Sequence, residues 1–268
     1  MGVLETVIGN LAAAAVTTPQ AFAAATPQTF SIRSAGKERS AMLLDLFTNV
    51  TAAGAVRVRS ARMHDSQQAI NLRAVASNPQ PILPSGTKQG LYSQDLLTVE
   101  YLADVAPVAA APQGIGMQIY YPELGGGAPS KFRTWAEVEP MIEEIYGQEM
   151  TPVSSATPGL WGAGQVLNAN FDQFKAGKNY ALLGYTCSDL GVAWSISGSD
   201  TGNYQVGGPM TNIGHETRDY FRDLSDANGL PLIPVISADN KLSTVVQVAT
   251  LVAATAAHVG LIFAQLSN

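Results

Sequence analysis

Short alternations of apolar and polar residues recur along most of the chain, and they are typical of β-strands. The clearest spans residues 55–62, where one face is apolar and the other carries Arg57 and Arg59. Because successive side chains of a strand point to opposite faces, this segment predicts a half-buried strand with an arginine-lined outer face. Residues 41–50 are apolar almost throughout and predict a buried strand or a short helix.

Other strand patterns are separated by turn residues such as Gly, Pro, Asn and Asp. Short strands at this spacing favour a sandwich, a barrel or a jelly roll. The segments are residues 29–33, 69–75, 96–102, 116–121, 165–170, 180–186, 192–197, 204–206, 230–236, 242–249 and 257–266.

Two further segments predict helices. Residues 134–147 begin with a capping box of Thr134 and Glu137, and Pro140 is expected to kink or split this helix. The second helix begins at Thr217, which serves as its N-cap. Its apolar residues are Tyr220, Phe221 and Leu224, and it ends at an Asn-Gly pair, residues 228 and 229.

The strand patterns fall into two halves of roughly a hundred residues each, a common domain size. We predict a mainly β fold of two jelly-roll-like β-sandwich units joined by a helix-containing connector. A single large β-sandwich or barrel domain fits the same strands. The predicted segments are an N-terminal arm (1–27), a first β unit (28–122), a Gly/Pro-rich connector (123–164) and a second β unit (165–268).

The predicted arm is apolar and rich in alanine. Its apolar run is too short to span a bilayer, which takes about 20 residues. An isolated segment of this kind is marginal by itself, so we expect the arm to become ordered against a neighbouring copy.

Charged residues make up only 13% of the chain, and the net charge is −6. A surface this poor in charge suits subunit packing, and the negative balance gives no indication of nucleic-acid binding. Residues 30–90 nevertheless hold eight basic residues against three acidic ones. This basic block either pairs with acidic residues of another copy or is a solvated face.

The acidic run in and after the first predicted helix is the natural counterpart of the basic block. Trp161, in the connector, is the aromatic residue most suited to an exposed contact, with a core position as the alternative. The residues predicted to contact another subunit are Arg57, Arg59, Arg62, Glu143, Glu144 and Trp161.

No constellation in the sequence predicts catalysis, a cofactor or a metal. Asp200-Thr201-Gly202 matches the triplet of aspartic proteases, but its polar flanks and the lack of a second triplet predict a surface turn. The three histidines have no ligand spacing, and Gly114-Ile115-Gly116 lacks the frame of a phosphate loop and is expected to be a turn. Cys187 lies in an apolar strand pattern and predicts a buried thiol.

The whole texture of the chain, including Tyr180-Ala-Leu-Leu-Gly-Tyr185 and Gly229-Leu-Pro-Leu-Ile-Pro-Val-Ile236, resembles virion structural proteins. The closest class is the double jelly-roll major capsid proteins of tailless, often membrane-containing phages. This resemblance implies trimeric capsomers in a closed lattice of the virion, with other virion proteins and an internal membrane as partners. It transfers no residue role.

The leading hypothesis from the sequence is therefore a self-assembling capsid subunit that is not an enzyme. A tail, fibre or surface-layer component is the second hypothesis, and it differs in building an open array. The third is a carbohydrate- or ligand-binding β-sandwich with Trp161 and Tyr204 as binding platforms.

Overall fold

The structure is a computed structural model, and antiparallel strands dominate it. Four sheets form two sandwich-like units with a short helix between them. The described residues are 2–11, 22–33, 39–63, 70–76, 80–105, 113–122, 131–170, 172–189, 191–211 and 217–267.

Within these residues the first unit has two sheets, which are joined at the pair Asn10↔Thr26 between β1 and β2. One has the order β1-β9-β3, with β6 and β7 both paired to the far side of β3, and the other has the order β2-β8-β4-β5. The strands are β1 (Val3–Leu11), β2 (Ala23–Ser31), β3 (Arg39–Asn49), β4 (Gly54–Arg59), β5 (Ile70–Ala74), β6 (Gln80–Pro81), β7 (Gln89–Tyr92), β8 (Leu96–Ala103) and β9 (Gln113–Tyr121).

The second unit also has two sheets. Their orders are β11-β18-β13-β16-β10 and β12-β17-β14-β15. The helices are α1 (Trp135–Val138) and α2 (Tyr220–Asn228), with 3-10 turns at Glu139–Met141, Ser199–Thr201 and Ala238–Ser243. The strands are β10 (Phe132–Arg133), β11 (Ile142–Met150), β12 (Gln165–Val166), β13 (Asn179–Cys187), β14 (Ala193–Ser197), β15 (Val206–Pro209), β16 (Ile233–Ser237), β17 (Val245–Ala249) and β18 (Val259–Leu266).

Both units have the strand order of a jelly roll. We count β6 and β7 as two parts of one strand and leave out β10, which only extends a sheet edge. In each unit the first, eighth, third and sixth strands then form one sheet, and the second, seventh, fourth and fifth form the other. This order defines the jelly roll, two Greek keys folded into a double sheet. The prediction of two jelly-roll-like units is therefore confirmed, and the alternative of a single large β-sandwich or barrel domain is wrong.

Each sandwich encloses its own apolar core, because alternate side chains of its two sheets point at each other. The first core includes Leu43, Leu46, Val56, Val58, Val99, Tyr101, Ile115 and Met117. The second includes Leu182, Tyr185, Trp194, Ile196, Phe221, Ile236, Val248 and Phe263.

The structure corrects the predicted N-terminal arm. Val3–Leu11 is not an arm but a strand inside the first unit, paired with β9 from Val3↔Tyr121 to Leu11↔Gln113. Seven of its nine residues are buried, since both faces of its sheet are covered. A strand covered on both faces lacks the polar face that makes a strand recognisable in sequence. Residues 12–21 of the predicted arm lie outside the described residues.

The predicted helix 134–147 is also wrong over most of its length. Its capping box forms, with the Thr134 amide donating to Glu137 Oε2 at 2.8 Å. The α-helix ends at Val138, and Pro140 lies in the 3-10 turn that follows. From Ile142 onward the chain becomes β11, because it pairs with β18 as far as Met150↔Val259. Long-range pairing overrides the helical preference of this acid-rich segment.

The second predicted helix is confirmed, with a shifted start. α2 carries buried Tyr220 and Phe221, and Gly229 ends it at a φ of 61°, a left-handed conformation that glycine adopts without strain. Its N-cap is Asp219 rather than Thr217. Residues 41–49 of the segment predicted as strand or helix lie in β3, and the strand predicted at 55–62 is β4, which ends at Arg59.

We predict that Leu4→Ala destabilises the whole chain. Leu4 has no exposed surface and packs with Leu44 and Tyr120, so the truncation should cost about 2–5 kcal/mol. Urea unfolding followed by circular dichroism measures this loss. Thr29→Ala, at an exposed position of β2, is the matched control and should change little. A Leu4→Ala protein as stable as the control would contradict a structural role for β1.

Candidate functional site

The two units pack against each other through different sheets. The outer face of the β1-β9-β3 sheet lies on the β12-β17-β14-β15 sheet of the second unit. Ile8 and Phe47 from the first unit meet Val192, Ala193 and Ala249 from the second in one buried apolar cluster. The molecule is therefore a stack of four sheets, with the β2-β8-β4-β5 sheet at one end and the β11-β18-β13-β16 sheet at the other.

Two glycines of β9 make room for large side chains on this face of the sheet. A Cβ at Gly114 would overlap the side chain of Val192, and a Cβ at Gly116 would overlap the ring of Phe47. The sequence predicts a turn at Gly114-Ile115-Gly116, and the structure corrects this to a strand. Gly114 leaves room for a side chain of the second unit, whereas Gly116 leaves room for the ring of its cross-strand neighbour Phe47 in the same sheet.

Polar residues of the same face form hydrogen bonds across the interface. The Thr6 amide donates to the Gln205 carbonyl at 2.7 Å, and the Gly207 amide donates to Thr6 Oγ1 at 2.9 Å. Gln118 Nε2 donates to the Gly207 carbonyl. Asn49 Nδ2 donates to the Gly191 carbonyl at 2.8 Å. Because these groups are buried, removing one partner would leave an unsatisfied polar group inside the protein and lower its stability.

Helix α2 joins the two units at one side of the stack. Tyr220 Oη donates to Asp45 Oδ2 at 3.1 Å, which links the helix to β3. Lys88 Nζ donates to the Asn228 carbonyl at the far end of the helix. The helix thus contacts the first unit at both of its ends.

A cavity of about 140 Å³ opens between α2 and the first unit. Asp45 is 5% exposed and has two neutral donors, Tyr220 and the Leu46 amide. Burial raises the pKa of Asp45 to about 7, although both hydrogen bonds lower it in part. The cavity is lined by Leu44, Asp45, Leu83, Ser85, Gly86, Tyr220, Asp223 and Leu224.

Sequence reasoning missed Asp45. The available signal was a lone carboxylate inside the apolar run 41–50, where the neighbouring side chains predict burial. Its partner Tyr220 was predicted only as an apolar residue of the helix. The pair lies 175 residues apart in sequence, so no local pattern joins them.

The predicted contact arginines lie on the outermost sheet of the first unit. Arg57 Nε donates to Glu100 Oε2 at 2.6 Å, and Arg59 Nη2 donates to Glu100 Oε1 at 2.9 Å. Burial alone would raise the pKa of Glu100, but the bonds from Arg59 and Arg57 hold it below its usual value. Arg62 donates to the Ser93 carbonyl at 3.3 Å. Two arginines facing one carboxylate leave this face with a positive balance.

The predicted contact acids lie at the opposite end of the stack, on β11. Lys178 Nζ lies 3.1 Å from Glu143 Oε2, and Lys175 Nζ lies 2.9 Å from Glu144 Oε2. Hydrogen bonds lower the pKa of both carboxyls, from Gln265 first for Glu143 and from Tyr146 first for Glu144. β11 is the edge strand of its sheet, so one side of its backbone has no paired strand within the described residues.

The two aromatic candidates are placed within the molecule. Trp161 is partly buried and packs on the apolar cluster between the units. Tyr204 lies under the guanidinium of Arg33, whose Cζ is 4.8 Å from the ring centroid. These positions favour the core alternative for Trp161 and explain Tyr204 by an internal cation–π contact.

Asp200 is a buried structural carboxylate rather than the exposed residue of a surface turn. The 3-10 turn Ser199–Thr201 forms, but Asp200 is only 4% exposed. It accepts hydrogen bonds from the Ser237 amide at 2.8 Å and Asn240 Nδ2 at 2.9 Å, and Lys131 Nζ lies 3.2 Å away. These contacts join β10, β14 and β16 at one end of the second sandwich.

The remaining reactive side chains are dispersed. Cys187 is buried as predicted, and burial raises the pKa of its thiol. His258 Nδ1 lies 3.1 Å from Asp189 Oδ2 on the surface, while His64 and His215 lie outside the described residues. The described ranges hold no group of three or more His, Cys, Asp or Glu side chains placed for a metal ion. No helix among these ranges is long and apolar enough to cross a bilayer.

A scan against models of known protein families found no match to this chain, and a search of curated proteins found no relative.

We predict that Asp45→Asn changes the pH dependence of stability. Because the folded-state pKa of Asp45 is about 7 against an ordinary 3.8, the folded chain holds a proton that the unfolded chain releases between these values. The stabilisation that protonated Asp45 contributes to the folded state is complete below pH 3.8 and is lost as pH rises through 7. The full effect is at most about 4 kcal/mol.

Urea unfolding at pH 4 to 8.5 checks this prediction. Asp45→Asn should be more stable than the natural protein at pH 8 and should lose that advantage at pH 4. Asp223→Asn, exposed at the rim of the same cavity, is the control and should follow the natural curve. Parallel curves for Asp45→Asn and the natural protein would refute the assignment.

Proposed function

We propose that this chain is a structural, self-assembling protein, the major capsid subunit of a tailless-phage-type virion. The observation that carries the proposal is the pair of jelly rolls with one strand order, packed through unlike sheets. Jelly rolls are common in viral capsids, although lectins and cupins use them too. The packing of two jelly rolls through unlike sheets therefore supports the capsid proposal beyond what the jelly-roll topology alone supports.

The contact inside the chain can be repeated between chains. It joins the β1-β9-β3 sheet of the first unit to the β12-β17-β14-β15 sheet of the second. The sheets at the two ends of the stack are β2-β8-β4-β5 in the first unit and β11-β18-β13-β16 in the second. In the second of these sheets, α2 contacts β13 and β16, which are buried on both faces, so the open surface there is formed by β11 and the neighbouring positions of β18. In this proposal a second copy contacts the two open surfaces head to tail. A head-to-tail contact closes into a ring when the rotation between copies divides the circle. A trimer built in this way is a ring of six jelly rolls.

The open surfaces at the two ends have chemistry suited to such a contact. Leu96 is 53% exposed on the outer face of β8, next to buried Leu97. Ile145 is 58% exposed on β11, opposite Ala264 and away from the core residue Phe263. The first face also carries the arginine pair on Glu100, and the second is bordered by the acids of β11. Exposed apolar residues framed by opposite charges favour association of copies.

The proposed partners are further copies of the chain, other virion proteins and an internal membrane. A tail, fibre or surface-layer component would use the same faces, but with a rotation that leaves the array open. Carbohydrate binding has less support, because Trp161 and Tyr204 are engaged within the molecule. Electron microscopy separates rings and shells from rods and sheets.

We expect negative-stain electron microscopy of the purified chain to show trimers or shells at low and moderate salt. Ile145→Arg should give dispersed monomers, because it places a charge in the proposed contact, while circular dichroism should stay unchanged. Leu242→Arg is the matched control. Leu242 is 68% exposed, but it lies in the 3-10 turn Ala238–Ser243 rather than on a sheet face. Monomers of the natural chain under all salt conditions would overturn the proposal.

A further inference from the structure

The cavity beside α2 has a buried carboxylate as its inner end. Asp45 and Leu44 are 5% and 3% exposed, whereas Ser85, Gly86 and Asp223 are exposed at the rim. The walls between them are the leucine side chains from β3, from the segment between β6 and β7, and from α2. The cavity is thus apolar along its length and acidic at its base.

The Asp45 carboxylate has hydrogen bonds but no counterion. Its two donors, the Tyr220 hydroxyl at 3.1 Å and the Leu46 amide at 2.7 Å, are both neutral. Among the described residues, no Lys, Arg or His side chain forms an ion pair with it, and the rim contributes a second acid, Asp223, which pairs outward with Arg222 at 2.9 Å. A buried anion with only neutral partners is costly, and a cation placed beside it removes much of that cost.

We propose that this cavity binds a small organic ammonium ion, with its charged head at Asp45 and its apolar tail between Leu44, Leu83 and Leu224. The size is suitable, because an engineered apolar cavity of about 150 Å³ accommodates benzene. A dehydrated metal ion suits the site poorly, since hard cations take six or more oxygen ligands and the walls here are leucines. The proposal does not depend on whether the chain assembles.

Benzylammonium chloride is the probe, because it combines one ammonium group with one ring. Isothermal titration calorimetry on the natural chain at pH 8 should show one saturable site. Benzyl alcohol has the same shape without the charge, and it should bind at least about tenfold more weakly. Binding of benzylammonium should weaken toward pH 5, where Asp45 holds a proton because its pKa is about 7.

Asp45→Asn should weaken benzylammonium binding by about tenfold or more. Asp226→Asn, at an exposed position of the same helix, is the matched control and should bind as the natural chain does. Leu224→Trp keeps the carboxylate but fills the cavity, so it should abolish binding while circular dichroism stays unchanged. This variant keeps the test decisive if Asp45→Asn does not fold.

Three results would overturn the proposal. The first is no saturable binding of benzylammonium up to about 10 mM, a concentration at which even weak sites fill. The second is equal affinity for benzyl alcohol, which would mean that the charge is not recognised. The third is unchanged binding in folded Asp45→Asn or Leu224→Trp protein, which would place the ligand elsewhere.

Discussion

Burial of one sheet on both of its faces is the constraint on which this structure depends. The β1-β9-β3 sheet closes the core of the first jelly roll with one face and forms the contact with the second jelly roll with the other. Its strands therefore have no solvent side, and every polar group on them needs a partner inside the protein. Thr6, Gln118 and Asn49 find these partners on the second unit, so the two units are held in one register.

Asp45 is a buried acid on this sheet that has no ion-pair partner among the described residues. Burial raises the pKa of Asp45 to about 7, and the hydrogen bonds from Tyr220 and the Leu46 amide offset only part of this effect. The same arrangement places a titratable group where β3, α2 and the cavity meet. Asp45 therefore links the contact between the units to the pH dependence of stability and, under the proposal above, to binding in the cavity.

The ion pairs of the outer sheets affect which side chains are available for contacts between copies of the chain. The charged side chains that the sequence suggests for contacts between copies already have partners in their own chain, as Arg57 and Arg59 do with Glu100. Because Glu100 is only 7% exposed, these two arginines are held within their own chain. Leu96 on β8 and Ile145 on β11 are exposed apolar residues that another copy can contact, which shifts the expected contact from paired charges to shape and apolar area.

Local sequence determined the elements that have one solvent-exposed face or a residue that ends them. The alternation at residues 55–62 gave β4, and Gly229 ended α2, because these signals act within a few residues. Only the tertiary structure decided that Val3–Leu11 and Ile142–Met150 are strands, since each is defined by pairing with a strand more than a hundred residues away. It also decided the chemistry of Asp45, whose partner comes from the other unit. Burial and hydrogen bonding between distant segments set these features, and no local window of sequence contains both partners.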